Sequence, residues 1–235
     1  MYNTFIQFIR NGADGMSGKP MLIFDLDGTL WDSAANVAVA WNIIFRREDP
    51  SLPDLTKDDI HSVMGMTMKE IENLLHPGAA LERRSEIFDE CCRYEVEYLR
   101  EHGGEPYPLL RETMEELIAR GYTLAIVSNC QCGYIDAFIS SIGVGDLFAD
   151  YEEWERTGLP KGENIRLVME RNRFPQAIYV GDTQKDQDAA RLAGIPFIHA
   201  AYGFGKVQSP DASVQSLAEL PDVVDALAAA LTRRP

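Results

Sequence analysis

The run Met21-Leu22-Ile23-Phe24, ended by Asp25-Leu26-Asp27-Gly28-Thr29-Leu30, constrains this chain more than any other stretch. Consecutive apolar residues leave no polar face, so a strand made of them must be covered on both sides, as in a parallel sheet flanked by helices. The carboxylates and glycine that end the run mark a strand tip opening into a loop, which is where open α/β sheets bind ligands. Asp25 and Asp27 have the same parity, so both side chains can leave the strand on one side while Leu26 points away. Two carboxylates held that close repel unless a cation or a proton lies between them. A metal site, an acid/base pair and a plain Asp-Gly turn are the three readings open at this point.

The rest of the chain repeats the first strand's rhythm. Short apolar runs predict strands over 20–25, 122–128, 147–151, 176–182 and 196–201, and amphipathic patterns predict helices over 110–120, 133–142, 162–171 and 185–192. Several of these helices stop at a glycine, and a last Ala/Leu-rich helix is expected over 221–231, with Pro221 suited to a first helical turn. The alternation implies an α/β fold with a Rossmann-like, doubly wound parallel sheet. Residues 33–104 break the rhythm with helical patterns at 34–47, 56–75 and 81–102, separated by Asp49-Pro50, Pro53 and Pro77-Gly78. The expected organisation is a core made of 20–33 and 105–235, an inserted all-helical cap over 34–104, and an accessory N-terminal segment over 1–19. Gly103-Gly104, with Pro106 and Pro108 close behind, reads as a hinge, and Met16 is an alternative start.

The formal charge of -15 and the lack of a basic stripe argue against nucleic-acid binding. No apolar run approaches the roughly 20 residues that span a bilayer. With no leader evident, the expectation is a cytoplasmic protein, monomeric or homodimeric, that contacts neither membrane nor nucleic acid. Cys91, Cys92, Cys130 and Cys132 lack zinc-ligand or disulfide spacing and read as reduced thiols, with Cys130 beside a candidate site. Met64, Met66 and Met68 around Gly65 either line a substrate pocket or fill the core of the helical segment. His61, His76, His102 and His199 also lack ligand spacing and read as surface or core residues.

Three more polar clusters fall at or after strand ends. Ser128-Asn129 offers a hydroxyl and a backbone N–H to an anion, and Lys161 stands just before a helix whose N-terminus also favours a phosphate. Gly181-Asp182-Thr183 ends the 176–182 strand and is followed by Asp186. Each alone is compatible with a turn or a solvated lysine.

Taken in order, the Asp25-x-Asp27-Gly-Thr-Leu stretch, Ser128-Asn129, Lys161 and Gly181-Asp-Thr-x-x-Asp186 resemble the four motifs of the haloacid-dehalogenase-like superfamily. The similarity covers about residues 20–205 and lies in the helical-cap branch that holds phosphoglycolate phosphatase-like enzymes; Gly194-Ile-Pro and Tyr202-Gly-Phe-Gly205 also look like that branch. The resemblance implies a magnesium-dependent phosphatase that acts on a small phosphate monoester of a metabolite through an aspartyl-phosphate. It casts Asp25 as nucleophile and Asp27 as general acid/base. Ser128, Asn129 and Lys161 would bind the phosphoryl oxygens, and Asp25, the Asp27 carbonyl and Asp182 would hold Mg2+. Thr29 and Asp186 would support this set. Asp27 disfavours dehalogenation, because dehalogenases lack the second acid.

Three features depart from the phosphoglycolate-phosphatase pattern. Trp31 replaces a smaller aliphatic residue and either narrows the pocket or packs against the cap; Lys161 precedes Gly162-Glu163-Asn164 instead of a Lys-Pro-x-Pro turn; and the cap has no recognisable substrate signature. A phosphosugar mutase of the same fold and a non-catalytic binding module are the competing readings.

Overall fold

The computed structural model describes residues 18–75 and 81–231. Expectations for residues 1–17, for His76 and for Pro77-Gly78 lie outside those residues.

Strand β1 (Met21–Phe24) has no exposed residue, and its side chains divide by parity between two cores. Leu22 and Phe24 join one apolar cluster while Met21 and Ile23 join the other. The same division recurs in β4 (Leu124–Ser128) and β6 (Ala177–Gly181), which flank β1 in parallel register, with Phe24 opposite both Ile126 and Val180. The sheet is completed by β5 (Asp150–Glu153), β7 (Phe197–Ala200) and β8 (Ala212–Val214) in the order β5-β4-β1-β6-β7-β8, all parallel. The winding direction reverses at β1, so the tips of β1, β4 and β6 open into a single crevice.

Between β2 (Trp31–Asp32) and β3 (Glu105–Pro106) the described chain is helical: α1 (Ala34–Glu48), α2 (Lys57–Val63), α3 (Met68–Leu75) and α4 (Leu81–His102). Strands β2 and β3 pair antiparallel, so entry to and exit from the helical segment run side by side. The Asn36 side-chain amide donates to the Gly103 carbonyl at 2.8 Å and ties the exit to α1. Trp31 is fully buried, edge-on to Phe138 and Tyr134 of α6 (Tyr134–Ile142) at centroid distances of 5.1 and 5.8 Å. A Cβ at Gly104 would lie 2.7 Å from the Trp31 ring, so glycine is needed there to admit the indole. Trp31 therefore packs on a core helix and the hinge, and is not among the residues lining the pocket described below.

Three sequence expectations shift. The helix expected over 56–75 is two helices, broken at Gly65 where φ is +76°. Each has its own start signal: Thr56 and Asp59 form a capping box, and Thr67 and Glu70 exchange the same backbone and side-chain bonds. The strand expected over 147–151 begins only at Asp150, since Leu147 and Phe148 are buried in the preceding turn. Its acidic end is tolerated because Arg171 donates to Glu152 at 2.5 Å and Arg156 to Glu153 at 2.8 Å. Strands β2, β3 and β8 are too short for a periodic pattern to mark them.

The remaining helices are α5 (Leu110–Ala119), α7 (Trp154–Thr157), α8 (Lys161–Arg171), α9 (Gln184–Ala193) and α10 (Leu220–Leu231). The last begins one residue before Pro221, which falls in its first turn. No helix among the described residues is long and apolar enough to cross a membrane.

Candidate active site

The floor of the crevice is a buried chain of charges. Lys161, 5% exposed at the start of α8, donates from Nζ to Asp25 at 2.9 Å and to Asp186 at 2.7 Å. Burial alone would lower the lysine's pKa, but Asp186 and Asp25 hold it well above the usual lysine value. The second Asp186 oxygen accepts from the Thr183 N–H at 2.9 Å and its hydroxyl at 2.6 Å, closing the capping box of α9. Asp186 is thus fixed on both sides and fixes Lys161 in turn. Burial, then the charge of Asp186, raises Asp25 to about 6 against the pull of Lys161.

Asp182, on the tip of β6, is locked differently. Its Oδ2 accepts from the backbone N–H groups of Phe204 at 2.8 Å and Gly205 at 3.0 Å, while its Oδ1 is buried without a hydrogen-bond partner among the described residues. Oxygens of Asp25, Asp182 and Asp186 lie within 4.8 Å of one another. Burial, then Asp186 and Asp25, pushes Asp182 up to about 8. An orphaned carboxylate oxygen beside two further buried carboxylates is an unbalanced arrangement that a hard divalent cation would balance, and an all-oxygen donor set suits such a cation. The approach is close enough that glycine is obligatory: a Cβ on Gly28 would collide with the Asp182 carboxyl, and one on Gly203 with the Gly28 carbonyl and Asp182.

Asp27 lies apart from that cluster. Its Oδ1 accepts from Ser33 Oγ and from Tyr134 OH, both at 2.9 Å, and those two hydroxyls are 2.6 Å apart. Burial, then the neighbouring charge of Asp25, raises Asp27 to about 7 despite these two bonds. It is therefore poised to hold or release a proton near neutrality.

Above the floor, the helical segment closes a small cavity of about 50 Å³. Met64, Met66 and Met68 line it and also pack on the main apolar cluster, so both sequence readings of the trio hold at once. The Asn129 side-chain amide donates to the Gly65 carbonyl at 3.2 Å, joining the β4 tip to the loop between α2 and α3. Glu95 of α4, 4% exposed, also faces the cavity and accepts from the Trp41 indole N–H at 2.6 Å. Burial pushes Glu95 up to about 8, against the hydrogen-bonding influence of Trp41 and Gln131. Cys130 lines the cavity too, but burial and then Glu153 raise its thiol well above the usual value, so it is held protonated.

Of the residues singled out from sequence, Asp25, Asp27, Ser128, Asn129, Lys161, Asp182 and Asp186 all stand at the tips of β1, β4 and β6 or on the adjoining helix starts. Asp25, Lys161, Asp186 and Asp182 form one cluster, while the Asp27 carboxyl turns to Ser33 and Tyr134. Thr29 is buried and its carbonyl accepts from Tyr202 OH at 2.8 Å, while its own hydroxyl has no partner among the described residues. His61 of α2 lies 3.0 Å from Asp32, with its ring tilted against that of Phe204 at a centroid distance of 4.2 Å. The sequence reading passed over Tyr134, Trp41 and Glu95, because nothing in their spacing sets them apart from other core aromatics and helix carboxylates.

A family model described as haloacid dehalogenase-like hydrolase matches residues 22–200. A phosphoglycolate phosphatase of Vibrio vulnificus is 29% identical over 223 residues, covering 87% of this chain and 95% of that protein. One from Chromobacterium violaceum is 30% identical over 217 residues, covering 86% and 94%. Among solved structures, a predicted phosphoglycolate phosphatase from Haemophilus somnus superposes with a TM-score of 0.76 at 22% identity, over 88% of this chain and 99% of the other. The CbbY protein of Rhodobacter sphaeroides in complex with phosphate gives 0.72 at 19% identity, over 86% and 96%.

Proposed function

The chain belongs to the haloacid dehalogenase-like hydrolases and is a phosphatase of that family; from that premise we propose that it hydrolyses a small phosphate monoester with Asp25 as nucleophile and magnesium as cofactor. The observation that carries this reading is the pairing of a buried Asp25, held by Lys161, with a separate Asp27 raised to about 7.

In the proposed reaction an Asp25 oxygen attacks phosphorus in line, the bond to the ester oxygen breaks, and Asp27 gives its proton to the departing alcohol. Water then attacks the aspartyl-phosphate, Asp27 takes a proton from it, and the Asp25–phosphorus bond breaks to release inorganic phosphate. Ser33 and Tyr134 hold the Asp27 carboxyl through both steps. Ser128, the Asn129 amide and Lys161 meet the phosphoryl oxygens, where preorganised donors act on the charge that spreads in the transition state. Asp186 positions Lys161. Asp25, the Asp27 carbonyl and Asp182 would hold magnesium, whose charge offsets that of the carboxylates and the phosphate. Residues 34–104 act as a cap over the site, hinged at the paired linkers β2 and β3.

The protein is expected to release phosphate from p-nitrophenyl phosphate when magnesium is present, and Asp25→Asn to lower that rate by roughly 10⁴-fold or more. Activity retained by Asp25→Asn, or a rate untouched by chelation, would overturn the proposal.

A further inference from the structure

The cavity above Asp25 and Asp27 has an uneven chemistry. Its cap-side wall is built from apolar residues such as Val37, Ile60 and Met64, interrupted by the Glu95 carboxyl. Among the described residues lining it there is no arginine, lysine or histidine. Lys161, the cation nearest the reacting centre, is held between Asp25 and Asp186. An alcohol leaving group that entered this space would therefore meet hydrocarbon and a carboxyl, with no cation to receive a negative end.

Glu95 is also fixed in place. The Trp41 indole N–H grips Oε2 at 2.6 Å, and the Trp41 ring is itself wedged edge-on against Phe88 at 5.4 Å. Supported in this way, a side chain can read a ligand group without first reorganising. Gln131 is a second hydrogen-bonding neighbour of this carboxyl, whose two oxygens keep acceptor capacity beyond these two partners for a ligand donor.

We propose that Glu95 determines the substrate class, selecting phosphate monoesters of small alcohols that carry a hydroxyl or ammonium donor and rejecting those whose alcohol ends in a carboxylate. The inference rests on the phosphatase reading and deepens it. An ionised Glu95 accepts from either donor, and a protonated one still accepts through its carbonyl oxygen or donates to a hydroxyl. A protonated Glu95 offers a carboxylate one hydrogen bond but no charge, so the ligand's own charge would be buried without a counter-ion. The cavity is small, about 50 Å³, which favours a short alcohol. The relatives named phosphoglycolate phosphatase act, by that name, on an ester whose alcohol does end in a carboxylate; on this inference the chain shares their chemistry and differs in its preferred leaving group.

The test is a comparison of kcat/KM for the magnesium-loaded wild type and Glu95→Gln on p-nitrophenyl phosphate, phosphoethanolamine, glycerol phosphate and 2-phosphoglycolate. The wild type is expected to prefer phosphoethanolamine or glycerol phosphate over 2-phosphoglycolate by about tenfold or more. Which of the two leads tells whether an ammonium or a hydroxyl is the favoured donor. Glu95→Gln should shrink the preference at least about threefold, read as the ratio of kcat/KM between the esters within each protein. A wild type that prefers 2-phosphoglycolate, or a preference unchanged in Glu95→Gln, overturns the inference but not the phosphatase reading. Failure to hydrolyse any of the four esters overturns both. If Glu95→Gln does not fold, the wild-type ratios decide.

Discussion

The floor and the cap wall of this cavity solve the problem of buried charge in opposite ways. On the floor, carboxylates are packed around an ammonium group and backbone N–H donors: Lys161 bridges Asp25 and Asp186, and Phe204 and Gly205 hold Asp182. On the wall, Glu95 is buried among apolar neighbours with Trp41 and Gln131 as its hydrogen-bonding partners, and no cation is among the described residues that line the cavity. A cluster held by an ammonium group and backbone donors, which a divalent cation would balance, is preorganised for a reaction that develops and moves charge. An isolated buried carboxyl is easily perturbed by whatever enters, which serves recognition. The floor therefore carries the chemistry this family shares, and the wall carries what distinguishes one member from another.

If that contrast is right, the floor should be far more sensitive than the wall to losing one partner. Lys161→Met leaves Asp25 and Asp186 facing each other without a cation, and removing one partner of a buried ion pair typically costs about 3–5 kcal/mol. The expected result is a loss of that order in chemical denaturation at pH 7, with phosphatase activity down by roughly 10²-fold or more. Lys161→Met with wild-type stability would show that the floor is not a charge-compensated unit.

Divalent cation should sharpen the contrast next. A cation bound by the folded state at about 100 times its Kd adds roughly 2.7 kcal/mol of stability. Magnesium is therefore expected to raise the melting temperature by several degrees, and Asp182→Asn, which alters the orphaned oxygen, should abolish most of the rise. An equal rise in the variant would remove Asp182 from the metal site. Glu95→Gln should leave the rise intact, since Glu95 belongs to the wall.

The smallest effect concerns the wall itself. Glu95 is raised from 4.5 to about 8 in the folded state. The folded protein then binds more protons than the unfolded chain between those values, so this group's contribution to stability is complete below about pH 4.5 and is lost as pH rises towards 8. Because the cavity admits water, the loss should be only part of the full linkage, roughly 1–2 kcal/mol. Denaturation of the wild type against Glu95→Gln at pH 5 and pH 8 should show the variant gaining relative stability at the higher pH. A difference that does not change with pH would mean that Glu95 is not isolated in the way the wall requires.

The two regions also differ in how far they could be read from sequence. The floor was legible because each of its residues sits directly after an apolar strand or at the start of a helix. A parallel sheet brings such positions together, so Asp25, Ser128 and Asp182, spread over more than 150 residues of the chain, converge at three adjacent strand tips. The wall was not legible, because its members come from α1, α2, α3, α4 and the loop between α2 and α3. Helical spacing says which residues share a face and not which cavity that face will meet. Glu95 lies in a helix rich in acidic residues, where only burial tells it from its exposed neighbours. Tyr134 was equally hidden: it reads as a core aromatic, and its hydroxyl reaches Asp27 only because α6 packs beside the hinge. The acidic end of β5 was missed for a related reason, since Arg171 and Arg156, which neutralise it, come from other elements.

By itself the sequence determined the α/β alternation, the helical insertion after the first strand and the order of the polar motifs. All of these follow from local periodicity and from what a strand tip must do with its last polar groups. The tertiary structure alone decided which partner each buried polar group would have. It turned the Asp27 carboxyl away from the Asp25–Asp182–Asp186 cluster towards Tyr134, spent Trp31 on packing, and set Glu95 above the reacting centre. The physical reason is that periodicity is a short-range property of the chain, whereas hydrogen-bond partners and the electrostatics of burial depend on atoms brought in from distant segments.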